Sequence, residues 1–338
     1  MYKKGVLTRR ACLSTLAAGC AAAENRVLGQ GQHRYRVVAN WGVLDQKTPV
    51  KNCHGMVRDA EGHLILLTDH VANNVIVYDK AGRLVSKWGT TFPGAHGLSI
   101  VTEGTHEVLY ITDLQTHKVA KTTLDGKLLD EWGWPEMSGF YRHEADYKPS
   151  WTLHMKDGSF FVLDGYGRDY ILRYDRKGKL TKIFGGAEGG IVHWGPHGGM
   201  LDMQGATPTL LIAMSDQQYL LRLSVEGEKL QQVDLPGGNP RQIRLHRGRY
   251  YVAHLGDNWP KDRASRGFIS ILDEECRVIS NVAGSSPEYG DDGKLRNMRH
   301  TEDVFMHPHD LIVDDEESIY VAQFASEATY PIKLERVA

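Results

Sequence analysis

Short apolar runs that end in a polar residue recur along most of the chain. Residues 64–69 (LILLTD), 109–113 (LYITD) and 160–164 (FFVLD) are examples. Each is preceded by a run that opens with His-Gly or proline. Each is followed by an amphipathic run, a glycine turn and a last run that closes on Trp-Gly or Phe-Gly. Apolar runs of this length between turn residues indicate β-strands. The pattern therefore predicts a repeated meander of four strands.

The pattern occurs six times, and repeats of this size are typical of propeller blades. The six copies begin at His54, His96, Pro149, Pro196, Pro240 and His309. The last copy lacks a fourth strand, but residues 35–42 (YRVVANWG) end in the same Trp-Gly as the fourth strands. We therefore predict an all-β, six-bladed β-propeller whose N-terminal strand completes the last blade and protects its edges. A seven-bladed ring with one unrecognised blade is the alternative.

The first 24 residues have the order of an export signal of twin-arginine type. Two lysines and the pair Arg9-Arg10 precede a run of small and apolar residues that ends at Ala23. We assign residues 1–24 to this signal and residues 33–338 to one propeller domain, which predicts a periplasmic or extracellular protein. Cleavage after Ala22 or Ala23 fits, and Cys20 also permits lipoprotein processing with a lipid anchor. No other segment is apolar enough to span a membrane.

Composition narrows the class of partner. The chain has 40 basic and 42 acidic residues, and the basic ones form no stripe, so nucleic acid is not an expected partner. Cys53 and Cys276 remain after the signal. They could pair in an oxidising compartment, but we expect two free buried thiols. We expect a monomer that acts on a small-molecule or peptidic substrate.

Four histidines begin the innermost strand of their repeats: His54, His96, His197 and His309. Equivalent positions in a ring face a common axis, and converging imidazoles form a site for zinc or another divalent transition metal. Histidines that merely fill the channel are the alternative. In a regular strand, His307 and His309 would share one face and Asp310 would point to the other.

Several stretches resemble a known family. They are residues 96–98 (HGL) with 110–119 (YITDLQTHKV), 163–166 (LDGY), Pro196-His197, and 306–310 (MHPHD) with 319–321 (IYV). The repeats resemble the NHL type and, more closely, the peptidyl-α-hydroxyglycine α-amidating lyase domain, a six-bladed propeller with a three-histidine zinc site and a structural calcium. The resemblance implies zinc ligands at His96, His197 and His309, and a catalytic tyrosine at Tyr166. It also implies calcium ligands from the carbonyls of Met56 and Leu98 and the carboxylate of Asp310.

The chain departs from that family at the site. Where the family has a catalytic arginine, this chain has Thr68-Asp69-His70, and His307 stands in place of a methionine. His54 adds an imidazole that the resemblance does not require. His70, Arg168 and His307 are therefore further catalytic candidates. Arg168 could supply the missing positive charge, or it could pair with Asp164 or Asp169 on the surface, and Tyr166 could simply pack one blade against the next.

These residues support three hypotheses. The first is an exported metal-dependent lyase that cleaves a C–N or C–O bond at a hydroxylated carbon. The second is a metal-dependent hydrolase such as a lactonase, and the third is a non-catalytic NHL-type binding propeller. Fold alone does not choose among them.

Overall fold

Six four-stranded antiparallel sheets form the blades of a propeller. The computed structural model describes residues 26–186, 193–256, 259–325 and 329–337. In blades 1 to 5 the strands follow one another in chain order from the innermost to the outermost. The six-bladed prediction is confirmed.

Blade 1 contains β2 (Cys53–Arg58), β3 (Leu64–Thr68), β4 (Val75–Tyr78) and β5 (Leu84–Trp88). Blade 2 contains β6 (Ala95–Glu103), β7 (His106–Asp113), β8 (Lys118–Thr123) and β9 (Leu128–Trp132). Blade 3 contains β10 (Trp151–His154), β11 (Phe160–Leu163), β12 (Tyr170–Tyr174) and β13 (Leu180–Gly185). Blade 4 contains β14 (Pro196–Asp202), β15 (Thr209–Met214), β16 (Tyr219–Ser224) and β17 (Lys229–Asp234). Blade 5 contains β18 (Pro240–His246), β19 (Arg249–His254), β20 (Phe268–Leu272) and β21 (Val278–Val282).

Blade 6 joins the two ends of the described chain. Its strands are β22 (His307–Val313), β23 (Ile319–Phe324), β24 (Ile332–Arg336) and β1 (Tyr35–Val38). β1 pairs antiparallel with β24, with Tyr35 opposite Arg336. The outermost strand of the last blade therefore comes from the N-terminal end of the propeller, as the sequence predicts.

The recurring Trp-Gly pairs and the glycine turns of the blades pack against each other. The aromatic side chain that ends one blade lies over the glycine turn of the next blade. Its indole N–H donates to a carbonyl there: Trp88 Nε1 to Leu124 O at 2.8 Å, and Trp132 Nε1 to Gly178 O at 3.0 Å. A Cβ at Gly126 would lie 2.5 Å from the Trp88 ring, and Gly126 has φ +91°, so glycine is required on both counts.

Burial decreases from the channel outward. The inner strand β2 is buried along nearly its whole length, whereas the outer strand β5 is mostly exposed. The apolar clusters form between neighbouring blades: one of them combines Val57 and Leu67 of blade 1 with Leu98 and Ile111 of blade 2. Blade-to-blade packing therefore holds the inner strands, and the side chains at their starts, in fixed positions.

The two cysteines that follow the predicted export signal, Cys53 and Cys276, are free and buried, as expected. Within the described residues, no helix has the length and apolar character needed to cross a membrane. The predicted export signal at residues 1–24, including Cys20, lies outside the described residues.

His254 makes folding depend on pH. It is 0% exposed, stacks on Phe268 at 4.6 Å, and burial lowers its pKa to about 3. Because the unfolded chain binds a proton below about pH 6.5 and the folded chain does not, the free energy of unfolding falls as pH decreases from 6.5 towards 3. For this residue, the loss between pH 7 and pH 5 is about 2 kcal/mol.

We predict that His254→Leu removes this contribution. Urea denaturation at pH 7 and pH 5 should show a loss of stability about 2 kcal/mol smaller than that of the wild type. His106→Leu, at an exposed position, is the control and should leave the difference unchanged. An equal loss in the wild type and His254→Leu would contradict a buried neutral imidazole.

Candidate functional site

In five blades the pairing between the innermost strand and the second strand shifts register near the start of the innermost strand, as at a β-bulge. The residues at these shifts are His54, His96, His197, Arg241 and His309. An extra residue in one strand redirects its side chain away from the regular alternation. In each case the redirected side chain lies at the channel. Arg241 holds the position in blade 5 that histidine holds in four other blades.

Three of the histidines share one hydrogen-bond pattern, and they come from alternate blades. Nδ1 of His96 donates to Ser150 O at 2.9 Å, and Nδ1 of His197 donates to Arg241 O at 3.1 Å. Nδ1 of His309 donates to His54 O at 2.7 Å. Each acceptor lies at the start of the inner strand of the following blade. A proton on Nδ1 leaves Nε2 unprotonated in the neutral ring, and this arrangement is typical of metal-ligating histidines.

The imidazoles lie close enough to share one ion. Ring centroids of His96, His197 and His309 are 4.7 to 4.8 Å apart in all three pairs. Ring nitrogens of His54, His96 and His309 also lie within 4.8 Å of one another. The four rings thus form two triangles that share His96 and His309. The Nε2 of His96 has no hydrogen-bond partner among the described residues, as expected of an atom kept for a ligand.

Burial keeps the cluster neutral. It lowers the pKa of His54 to about 3 and the pKa values of His96, His197 and His309 well below the usual value, with neighbouring imidazoles or Arg241 acting in the same direction. Neutral imidazoles are the form that binds a metal. The four side chains therefore have available lone pairs at neutral pH.

Tyr166 lies directly beside the cluster. Its hydroxyl donates to Nε2 of His197 at 2.9 Å, and its ring lies 5.0 Å from that of His96. Desolvation by the surrounding protein raises the pKa of the Tyr166 phenol, while the positive charge of Arg241 acts to lower it. The loop before it is anchored by the buried carboxylate of Asp164, which accepts hydrogen bonds from Lys148 N and Tyr141 Oη. Tyr166 is 40% exposed and therefore contacts both the cluster and the solvent.

A cavity of about 210 Å³ opens onto the cluster. Its lining includes Tyr166, His197, Arg241, Trp259 and His309. Arg241 is only 6% exposed, and its Nε has no hydrogen-bond partner in the described part of the chain. Arg241 is not among the site residues predicted from the sequence, although its position in the repeat is equivalent to that of the histidines and could have identified it.

His307 contacts the cavity wall instead of the other histidines. Its Nδ1 accepts from Gly256 N at 3.1 Å, and its Nε2 donates to Arg263 O at 3.3 Å. Its ring lies edge-on to Trp259 at 4.8 Å. His307 therefore forms hydrogen bonds at both ends of the segment that carries Trp259 and holds that segment against the propeller.

Two of the catalytic candidates lie elsewhere. His70 is in a turn after β3, where its Nδ1 accepts from Ala72 N at 3.2 Å. Arg168 is 47% exposed and pairs with Asp146 at 3.1 Å, so it forms a surface ion pair, but with an aspartate other than Asp164 or Asp169. Neither residue lines the cavity. Sequence proximity to Tyr166 did not reveal the direction of the Arg168 side chain.

Arg244 occupies most of the oxygens that the resemblance assigns to calcium. Asp310 is fully buried, and its two carboxylate oxygens accept hydrogen bonds from Arg244, which also donates to Met56 O. A guanidinium thus occupies two of the three expected ligands. The shift in register at His309 also interrupts the expected alternation along β22. Asp310 contacts the inner strand of blade 1 through Met56 N and the inner strand of blade 5 through Arg244.

Comparisons with known proteins agree with the fold and with the resemblance. No protein-family model matches the chain. Over 108 residues it is 33% identical to peptidyl-alpha-hydroxyglycine alpha-amidating lyase 1 of Drosophila melanogaster, a match that covers 31% of this chain. It covers 19% of that protein, so the chain spans about a fifth of the length of this relative. The chain is an NHL-like propeller, and part of it resembles the amidating lyases.

Solved structures show the same architecture. A streptogramin B lyase superposes with a TM-score of 0.59 at 13% identity, covering 93% of this chain and 99% of that one. The virginiamycin B lyase from Staphylococcus aureus gives 0.56 at 14% identity, covering 92% and 100%. A protein of unknown function from Bacteroides thetaiotaomicron gives 0.59 at 12% identity, covering 92% and 76%. At these identities the likeness concerns the fold alone.

We predict that His307→Leu loosens the cavity wall without changing the histidine cluster. Amide hydrogen exchange in the peptide that spans residues 255–265 should rise at least about tenfold, since both ring hydrogen bonds to that segment are lost. Bound metal should stay at the wild-type level. His63→Leu, in a turn of blade 1, is the control. Loss of metal with unchanged exchange would show instead that His307 is a ligand.

Proposed function

We propose that the protein is an exported, metal-dependent lyase. It cleaves a C–N bond at a hydroxylated carbon of a small or peptidic substrate that carries a carboxylate. The observation that supports this most directly is the triad of His96, His197 and His309, whose Nδ1 atoms are all held by carbonyls. The partial match to an amidating lyase adds support for the reaction class.

We assign the metal ligands to His96, His197 and His309. In this triangle every Nδ1 donates to a backbone carbonyl, so each Nε2 is unprotonated in the neutral ring. His54 instead directs its Nδ1 towards Nε2 of His309 at 3.5 Å. A divalent transition metal, with zinc as first choice, would supply the positive charge that polarises a substrate oxygen.

Tyr166 is the candidate for proton transfer. Its hydroxyl lies 2.9 Å from a ligand nitrogen, so a substrate hydroxyl bound at the triad would be within its reach. A cation at the triad and the charge of Arg241 both lower the pKa of the phenol. In the proposed reaction Tyr166 takes the hydroxyl proton as the carbonyl forms. The C–N electron pair passes to nitrogen, and Tyr166 returns the proton to it.

Arg241 is the candidate for binding the substrate carboxylate. It is buried at the cavity, and the neighbouring Arg244 on the same strand already has a carboxylate partner, whereas Nε of Arg241 has none among the described residues. A buried guanidinium is stabilised by an anion with which it can form charge-assisted hydrogen bonds. Arg241 thus replaces, from another blade, the positive charge expected near residues 68–70.

Metal analysis tests the ligand assignment. We predict about one transition-metal ion per chain in the wild type, and less than about a tenth of that in His96→Ala, His197→Ala or His309→Ala. His54→Gln should keep its metal, because His54 is outside the assigned triad. Elemental analysis after dialysis provides the measurement, and His193→Ala, at the cavity rim, is the control. Metal lost in His54→Gln but kept in His197→Ala would select the other triangle.

Kinetics on a peptidyl α-hydroxyglycine test the reaction. Zinc-loaded wild type should release the peptide amide and glyoxylate. Tyr166→Phe should lower kcat about 10²- to 10⁴-fold with metal retained, since only the proton-transfer group is lost. Arg241→Gln should raise KM about 10- to 100-fold, because one charge-assisted contact disappears. Arg168→Gln, an exposed arginine, should match the wild type. Turnover of lactones but not of the hydroxyglycine would identify a hydrolase, and no turnover at all would favour a binding propeller.

A further inference from the structure

Asp310 is a buried carboxylate at the centre of the propeller. It is 0% exposed, and backbone N–H groups of Met56 and Leu311 donate to its two oxygens at 2.8 and 2.7 Å. Burial raises the pKa of Asp310, while these donors and the Arg244 guanidinium act in the opposite direction. A carboxylate in such a place needs a positive partner to remain ionised.

Arg244 supplies that partner from blade 5. Its Nε donates to one carboxylate oxygen of Asp310 at 2.9 Å, and its Nη2 donates to the other at 2.6 Å. The same guanidinium donates to Met56 O at 3.0 Å and to Leu311 O at 3.2 Å. One side chain thereby links the inner strands of blades 5, 6 and 1.

The guanidinium is also packed on blade 3. Its central carbon lies 5.7 Å from the centroid of the Trp151 ring, and Trp151 is 1% exposed. An arginine over an aromatic face gains a further favourable contact. The position of Arg244 is thus defined by four blades of the ring.

A carboxylate and a main-chain carbonyl that converge on one point form the donor set of a hard divalent cation such as calcium. The planar guanidinium meets the same demands, because it is permanently charged and can donate to several oxygens at once. The two cations therefore compete for one set of oxygen atoms. In this chain the oxygens already bind Arg244.

We propose that Arg244 is the resident cation of this site and replaces the calcium that the family resemblance implies. The native protein then needs no calcium for stability. Removal of the guanidinium should leave Asp310 and Met56 O free and create a calcium site. This inference does not rest on the proposed function, and its test uses no enzymatic readout.

The first measurement is on the wild type. After treatment with EGTA and reloading with zinc, Tm should change by less than about 1 °C, since the bound cation is covalently part of the chain. Millimolar calcium should likewise have no effect, and calorimetry should detect no calcium binding. One tightly bound calcium per chain, with a Tm that falls on its removal, would overturn the proposal.

The second measurement is on Arg244→Ala. Loss of the partner of a buried carboxylate should lower Tm by at least about 5 °C in EGTA. Millimolar calcium should restore a large part of that fall and should bind at about one ion per chain. If the variant is insoluble as expressed, refolding should succeed with calcium and fail with EGTA. A folded variant that ignores calcium, or failure to refold under both conditions, would contradict the proposal.

Two controls separate this site from general effects of calcium. Arg244→Ala/Asp310→Asn lacks the carboxylate charge and should not respond to calcium. Arg222→Ala breaks another partly buried arginine–aspartate pair, with Asp202. Arg222 also donates to the side-chain hydroxyls of Thr209 and Tyr250, and not to a main-chain carbonyl as Arg244 does, so this variant should lose stability without a calcium response. A calcium response in either control would show that calcium acts elsewhere.

Discussion

The candidate site depends on a shift of register at the start of the inner strands. In a regular strand the residue at this point would follow the alternation between the two faces of its blade. The extra residue instead directs the side chain to the channel, as at His96, His197 and His309. The carbonyls that accept Nδ1–H from His197 and His309 belong to Arg241 and His54, which lie at register shifts themselves. The acceptor of His96, Ser150 O, lies just before the regular inner strand of blade 3. The register shift therefore fixes the direction of the imidazoles, and the neighbouring blade fixes their tautomer.

Charge is distributed unequally along β18, and this distribution defines two different environments. Arg244 is neutralised by Asp310, to which it makes two hydrogen bonds, and it makes two more to main-chain carbonyls, so it belongs to the framework. Arg241, three residues earlier, lies beside neutral imidazoles and lowers their pKa values further. A cation bound by those imidazoles would add a second positive charge to the same cavity. Such a cavity favours an anionic substrate, because only an anion offsets both charges.

The repeat explains which parts of this organisation could be predicted from the sequence. Periodic apolar runs and closing Trp-Gly pairs depend on local composition, so they predicted six blades and the closure by β1. Repeat-equivalent positions predicted the convergence of the four histidines. The same equivalence applied to Arg241, but a search for metal-binding residue types passes over an arginine. The Arg244–Asp310 pair joins positions far apart in the chain and on different blades, and no local pattern encodes it.

His307 shows how one residue can shape the wall of the cavity without belonging to the histidine cluster. A methionine at this position would offer one weak acceptor, whereas the imidazole accepts from Gly256 N and donates to Arg263 O at the same time. The two bonds fix a segment that belongs to blade 5 but lines the cavity through Trp259. A change of residue at position 307 can therefore alter the wall of the cavity while the histidine cluster stays the same. For a lyase of this type, the choice of substrate would follow from that wall and from Arg241, and the bond that breaks would follow from the triad and Tyr166.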